Sequence, residues 1–264
     1  MTESSMAGTF DDYVALSLES GVPPIDFLYR PIVDCDAGEV IALRAETVIN
    51  SVILGRLGEV DYTGVCDERE SGIALFAQSL HHALRAIERF RECAAPISFL
   101  SVRCPAEIAE TPGVDLFGTV RDALREHRTV PPSALCIEFP PSLTEKHTDR
   151  ARTALLDLKV LKVKTMIAGC GKEDFPISKL VTVPPDAVML DESATAWAGS
   201  RDKPALFSAL VSYLKSMGIE SYAAGAAEKR RALRNSDCAG FLDSERAPLT
   251  QAEVLDLMQA ETAV

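Results

Sequence analysis

Thiols and imidazoles are the groups in this sequence best able to do chemistry, so their spacing is the first question. Cysteines stand at Cys35, Cys66, Cys93, Cys104, Cys136, Cys170 and Cys238, and histidines at His81, His82, His127 and His147. No CxxC pair occurs and the cysteine count is odd, which fits reduced, mostly buried thiols of a cytosolic protein. Structural zinc takes four N or S ligands at close spacings, and the histidines lack that spacing relative to the thiols. His81 and His82 fall in a helical pattern, where a structural or surface role is expected. The basic run from Glu228 to Arg234 (EKRRALR) reads as a solvated helix face, with contact to a partner as the alternative.

The elements that must position such groups alternate along the chain. Strands are predicted at Leu28 to Asp34, Val40 to Thr47, Ile97 to Arg103, Leu135 to Phe139, Thr165 to Ala168, Ala187 to Leu190, Glu220 to Ala224 and Ala239 to Leu242. Helices are predicted from Ile73, where Phe76, Ala77, Leu80, Leu84, Ile87 and Phe90 keep helical spacing, and over Val114 to His127, Asp149 to Lys159, Pro204 to Met217, Glu228 to Arg234 and Leu249 to Gln259. Strand and helix in alternation imply parallel βαβ units, and short apolar strands suit a sheet covered on both faces. With about eight strands in about 250 residues, a closed (β/α)8 TIM-type barrel fits better than an open sheet. The expected organisation is a leading segment, residues 1–20, with a short helix, and a single barrel domain, residues 21–264. The net charge of −12, from 39 acidic and 27 basic residues, disfavours broad contact with nucleic acid or an anionic membrane. The acidic, polar start is unlike a signal peptide, and no apolar run is long enough to span a bilayer. A cytoplasmic protein is expected.

The order of segments resembles the EAL domains, the bacterial cyclic di-GMP phosphodiesterase family. LYRPIVDCDAGEVIALRAE, from Leu28, resembles their opening strand, turn and E-A-L strand. SVRCP at Ser101 is similar to S-V-N-L-S, IEFPPS at Ile137 to E-x-T-E-S, and DAVMLDES at Asp186 to D-x-I-K-I-D. IAGCG at Ile167 stands where I-D-D-F-G would be, AAGAAE at Ala223 where A-E-G-V-E-T would be, and AGFLDSERAP at Ala239 parallels Q-G-Y-x-x-x-x-P. The match runs from about Asp26 to the C-terminus, and its specificity lies in the order of the segments.

The resemblance also implies where chemistry is missing. Active members hold two divalent metals with acidic and amide groups at strand ends, and hard cations require converging oxygen ligands. Arg44 stands at the position of the first motif's glutamate and Arg103 at that of the asparagine. Ala168 and Gly169 replace the paired aspartates, Met189 the lysine, Ala224 and Ala227 the two later glutamates, and Ala239 the glutamine. Pro140 and Pro141 replace a Thr-Glu pair, while Glu138 and Asp191 keep the family's residue type. Guanidiniums cannot lose their protons to become ligands, and holding two of them about 4–6 Å from a dication would cost several kcal/mol at an effective dielectric near 20. Arg44, Arg103, Glu138 and Asp191 therefore form either a salt-bridged, vestigial pocket or a metal-free anion site. Cys104 and Cys170 lie near strand ends, but no histidine falls in a matching motif to activate them.

The expected function is that of a catalytically inactive EAL-like domain, without cofactor or metal, serving as a protein-interaction or regulatory module in bacterial signalling. Its partner would be another protein or itself, as a homodimer. The alternative is a metal-independent receptor for cyclic di-GMP or another anion. Against it stand Val48, where the family has an arginine after E-A-L, and Glu46, whose charge would oppose a dianion.

Overall fold

The computed structural model describes residues 12, 25–51, 55–59, 61–62, 70–95, 97–105, 108, 113–142, 148–172, 175, 177–200, 203–234 and 236–262. The leading segment expected over residues 1–20 lies outside them, apart from Asp12, as do Cys66 and His147.

The barrel is built from β1 (Ile25–Val33), β2 (Val40–Ser51), β4 (Leu100–Arg103), β5 (Leu135–Phe139), β6 (Lys164–Cys170), β7 (Ala187–Leu190), β8 (Glu220–Gly225) and β9 (Gly240–Asp243), while the short β3 (Gly55–Leu57) adds to the far end of β2. Neighbours run in the order β1-β9-β8-β7-β6-β5-β4-β2, and pairing of β1 with β2 closes the ring. The helices are α1 (Glu70–Glu92), α2 (Leu116–Glu126), α3 (Thr148–Val160), α4 (Lys179–Thr182), α5 (Glu192–Ala198), α6 (Pro204–Ser216), α7 (Arg230–Leu233) and α8 (Gln251–Thr262). Among the described residues no helix is long and apolar enough to cross a membrane.

One strand departs from the expected parallel pattern. β1 is antiparallel to both β2 and β9, whereas the pairings from β2 through β4 to β9 are parallel. The cause lies in the turn between β1 and β2, since a parallel connection needs a dozen or more residues and this one spans only Asp34 to Glu39. Asp34 Oδ1 accepts from the amides of Asp36 (2.8 Å) and Ala37 (2.6 Å), an Asx turn that commits the chain to a hairpin.

Alternation along each strand divides two cores. Ile32, Ala42, Phe99, Cys136, Met166, Ala187, Tyr222 and Leu242 fill the barrel interior. Leu43, Leu100, Ile137, Ile167, Val188 and Ala223 face outward and pack with Leu80, Leu84, Phe90, Leu158 and Leu214 of the surrounding helices. The floor, at the amino ends of the parallel strands, is sealed by Lys164. Its ammonium reaches Glu220 Oε2 (2.6 Å) and the Tyr222 hydroxyl (3.3 Å) and sits 4.6 Å from the centre of the Phe99 ring.

The two helix histidines have structural partners. His82 stacks on Phe27 with ring centroids 3.9 Å apart, and burial pushes its imidazole down to about 4. His81 lies 3.7 Å from a carboxylate oxygen of Glu126. The basic run is a 3-10 turn over Ala227–Lys229 leading into α7.

Candidate functional site

Counting two residues along each strand from the interior core reaches the barrel's mouth, at the carboxyl ends of the parallel strands. Arg44 follows Ala42 on β2, Glu138 follows Cys136 on β5, Ala168 follows Met166 on β6, Met189 follows Ala187 on β7 and Ala224 follows Tyr222 on β8. Because β1 is inverted, its mouth residue precedes Ile32 instead, and this residue is Arg30, opposite Arg44 in register. Ser101 and Arg103 on β4 complete the ring between β2 and β5.

Arg44 and Glu138 are joined. Arg44 Nε donates to both oxygens of Glu138 (3.1 and 3.0 Å) and Nη2 to Oε1 (2.9 Å). The same guanidinium donates from Nη2 to Glu59 (3.3 Å) and lies 3.7 Å from Glu46 through Nη1. Three carboxylates thus gather round one guanidinium, and their field raises the Arg44 pKa, with Glu138 contributing most. Glu138 is only 2% exposed and also accepts from the Ser101 hydroxyl at 3.4 Å. Burial pushes the Glu59 carboxyl up despite the nearby Arg44 and Arg103. Glu46 is shared with Arg30, whose Nη1 also donates to the carbonyls of Ser244 (3.1 Å), Asp243 (3.5 Å) and Arg246 in the segment after β9.

The other residues singled out from the sequence fall at the mouth but hold different contacts. Arg103 is paired in register with Glu138. It lines a cavity of about 40 Å3 on the outer side of β2 and β4, together with Glu59, Tyr62 and Phe76. Asp191 caps α5, accepting from Ser193 N (3.0 Å) and Oγ (2.7 Å), and lies 3.8 Å from Lys172. It is a helix cap as much as a mouth residue. Cys104 and Cys170 are buried, and burial pushes the Cys170 thiol up to about 12, the reverse of an activated nucleophile.

Sequence reasoning did not single out Arg30 or Glu59 and gave Glu46 only an obstructive role. For Arg30 and Glu46 a signal existed, because period-two alternation places Glu46 on the face of Arg44 and the hairpin sets Arg30 opposite it. Glu59 offered none, since it lies beyond β3 in a connecting segment.

The remaining side of the mouth is apolar. At Ala168 and Gly169 the pairing of β6 with β7 shifts between Ile167 and Cys170. Gly169 takes a left-handed φ of +70°, and a Cβ there would stand 3.1 Å from Pro141 Cγ. The strand bulges at this point, and neither Ala168 nor Gly169 carries a side-chain oxygen.

A family model for the EAL domain matches residues 23–240 of this chain. The chain belongs to the EAL domain family. Solved EAL structures share its fold. The EAL enzyme Bd1971 in its cAMP- and cyclic di-GMP-bound form superposes with a TM-score of 0.81 at 14% identity, covering 98% of this chain and 70% of that one. The PaMucR phosphodiesterase in complex with cyclic di-GMP gives 0.78 at 19%, covering 91% and 97%. An EAL domain protein from Listeria monocytogenes EGD-e gives 0.74 at 20%, covering all of both chains. No curated protein matches the chain.

The donor set of this EAL domain does not fit a pair of divalent metals. Among the described residues Glu138 is the most deeply buried carboxylate of the mouth, and it is gripped by a guanidinium that cannot be deprotonated. Ala168, Met189 and Ala224 have no side-chain oxygen to offer. Among the described residues, no group of three or more His, Cys, Asp or Glu is placed to hold a metal ion.

Proposed function

We propose that this EAL domain does not hydrolyse cyclic di-GMP and acts as a regulatory module that binds another protein or a second copy of itself in bacterial signalling. The observation that carries this reading is the grip of Arg44 on Glu138. It places a fixed monocation where the family would hold divalent ions, and it uses up the carboxylate that would bind them. The arginines Arg30, Arg44 and Arg103 stand against the carboxylates Glu46, Glu59 and Glu138, so the mouth holds balanced charge. That balance disfavours a metal-free receptor, because an anion would have to displace three carboxylates from Arg44 at a large desolvation cost.

The test is a hydrolysis assay and calorimetric titration of the purified protein with cyclic di-GMP, with and without Mg2+, Mn2+ or Ca2+. The expected result is no linear or mononucleotide product and no heat in any condition, followed by a hydrodynamic mass above that of one chain or capture of a defined partner. Metal-dependent turnover would overturn the reading. Metal-free binding abolished by Arg103→Ala would replace it with the receptor.

A further inference from the structure

Two surfaces flanking the first hairpin carry opposite charge and spend little of it within the chain. Residues 229–234, KRRALR, hold four cations and no acid, whereas α8, QAEVLDLMQAET, holds three acids and no base. Arg231 and Arg234 are exposed and Lys229 partly so, and none of the three forms an ion pair among the described residues. On α8, Val254 and Met258 turn inward, which leaves Glu253, Asp256 and Ala260 exposed at helical spacing on the outer face. The hydrogen bonds of its acids are to neutral donors. Glu253 Oε2 accepts from the Thr250 amide (2.7 Å) and hydroxyl (2.8 Å), and Glu261 Oε2 accepts from the Val40 amide (3.0 Å).

Both surfaces are fastened to the turn between β1 and β2. Arg230 holds its start, donating from Nε to the Cys35 carbonyl (3.3 Å) and from Nη2 to that of Asp36 (3.5 Å). Glu261 holds its end at Val40. The basic stretch and α8 therefore share one side of the molecule, with the hairpin turn between them.

We infer that residues 229–234 of one copy of this chain dock on the outer face of α8 in a second copy, the contact being made twice about one two-fold axis. This rests on the proposed reading of the domain as one that can bind a second copy of itself. Two copies, each at −12, repel at long range, so their contact must set a basic surface of one against an acidic surface of the other. An axis beside the turn does this in both directions at once, because placing the basic stretch on the partner's α8 brings the partner's basic stretch to α8 of the first copy. Each surface is then used once and the assembly closes as a dimer. The planar forks of Arg231 and Arg234 suit carboxylates, and the small side chains of Ala232 and Ala260 leave room for the charged groups to meet. Such a contact is weak and sensitive to salt, since exposed ion pairs contribute little each and are screened.

Sedimentation velocity of the full-length chain in about 50 mM and about 500 mM NaCl reads the contact. Dimer is expected at low salt, with association weakened roughly tenfold or more at high salt. Arg231→Glu with Arg234→Glu, which keeps the hold of Arg230 on the hairpin, should be monomeric. Asp256→Lys with Gln259→Lys, which keeps the Glu253 cap, should be monomeric too. Mixing these two variants should restore a one-to-one dimer, because each reversed surface then faces its opposite. All four positions are exposed, and an unchanged melting temperature shows that each variant is folded. A folded mixture that stays monomeric while the unaltered chain dimerises would overturn this interface and leave self-association standing on another face. A dimer of the unaltered chain that ignores salt would do the same. An unaltered chain that is monomeric at low salt would overturn both the interface and self-association, and leave a different protein as the partner.

Discussion

The two sides of the barrel mouth are built on opposite principles. On β1, β2, β4 and β5 it is charged, with Arg30, Arg44 and Arg103 interleaved with Glu46, Glu59 and Glu138. On β6, β7 and β8 it presents Ala168, Met189 and Ala224. Both occupy the same layer of one barrel, so the difference is not one of depth or exposure. On the proposed reading, a mouth can do without metal ligands by deletion, as on the apolar side, or by substitution with a cation that keeps the remaining carboxylate paired, as on the charged side. The second route is needed wherever a carboxylate stays buried, because an unpaired charge at 2% exposure would be costly.

The sharpest way to break this comparison is to remove Arg44. Arg44→Ala leaves Glu138 buried and uncompensated and should cost about 3–5 kcal/mol in denaturant unfolding. The double variant Arg44→Met with Glu138→Leu should recover most of that loss, since an apolar pair of similar volume is often as stable as a buried ion pair. A single-variant cost below about 1 kcal/mol would mean that Arg44 is a solvated side chain and not the centre of the network. On the apolar side, Met189→Ala should cost about 2 kcal/mol, the low end for a truncated core methionine, because the cavity opens towards the mouth. A loss equal to that of Arg44→Ala would erase the distinction between the two sides. The smallest effect is expected at the floor. Lys164→Met should cost only about 1 kcal/mol by the same measurement, since Glu220 is 52% exposed and can turn to water.

Much of the barrel was legible because its strands carry two superposed signals, apolar content and the turns that bound them. Leu135–Phe139 and Ala187–Leu190 fall where the sequence sets them, residue for residue. The β1 inversion was legible only in part, since the DAG turn marks a hairpin but alternation of strand and helix speaks for parallel units. α4 and α5 escaped notice because helices of four and seven residues hold too few turns for an apolar period to emerge. In the site, Arg44 and Glu138 stood out by position and residue type, and their joining follows from strand order. Asp191 keeps a place at the mouth and also caps α5, a local role that an aspartate before a helix commonly takes. Glu59 was illegible for a general reason: a loop carboxylate gains meaning only when tertiary structure brings it to a cation.

The inverted first strand has a consequence for how the chain comes to its final shape on the ribosome. β1 and β2 emerge early and can zip as a local hairpin, but the partner on the other edge of β1 is synthesised only when nearly the whole chain has followed. Until then the hairpin offers an open row of backbone donors and acceptors next to apolar Ile32 and Val33, the kind of edge that recruits wrong partners. Arg30 and the Asx turn at Asp34 place a charge and a tight bend at opposite ends of that edge, which shortens the stretch available to a misdirected strand while the nascent barrel waits for β9.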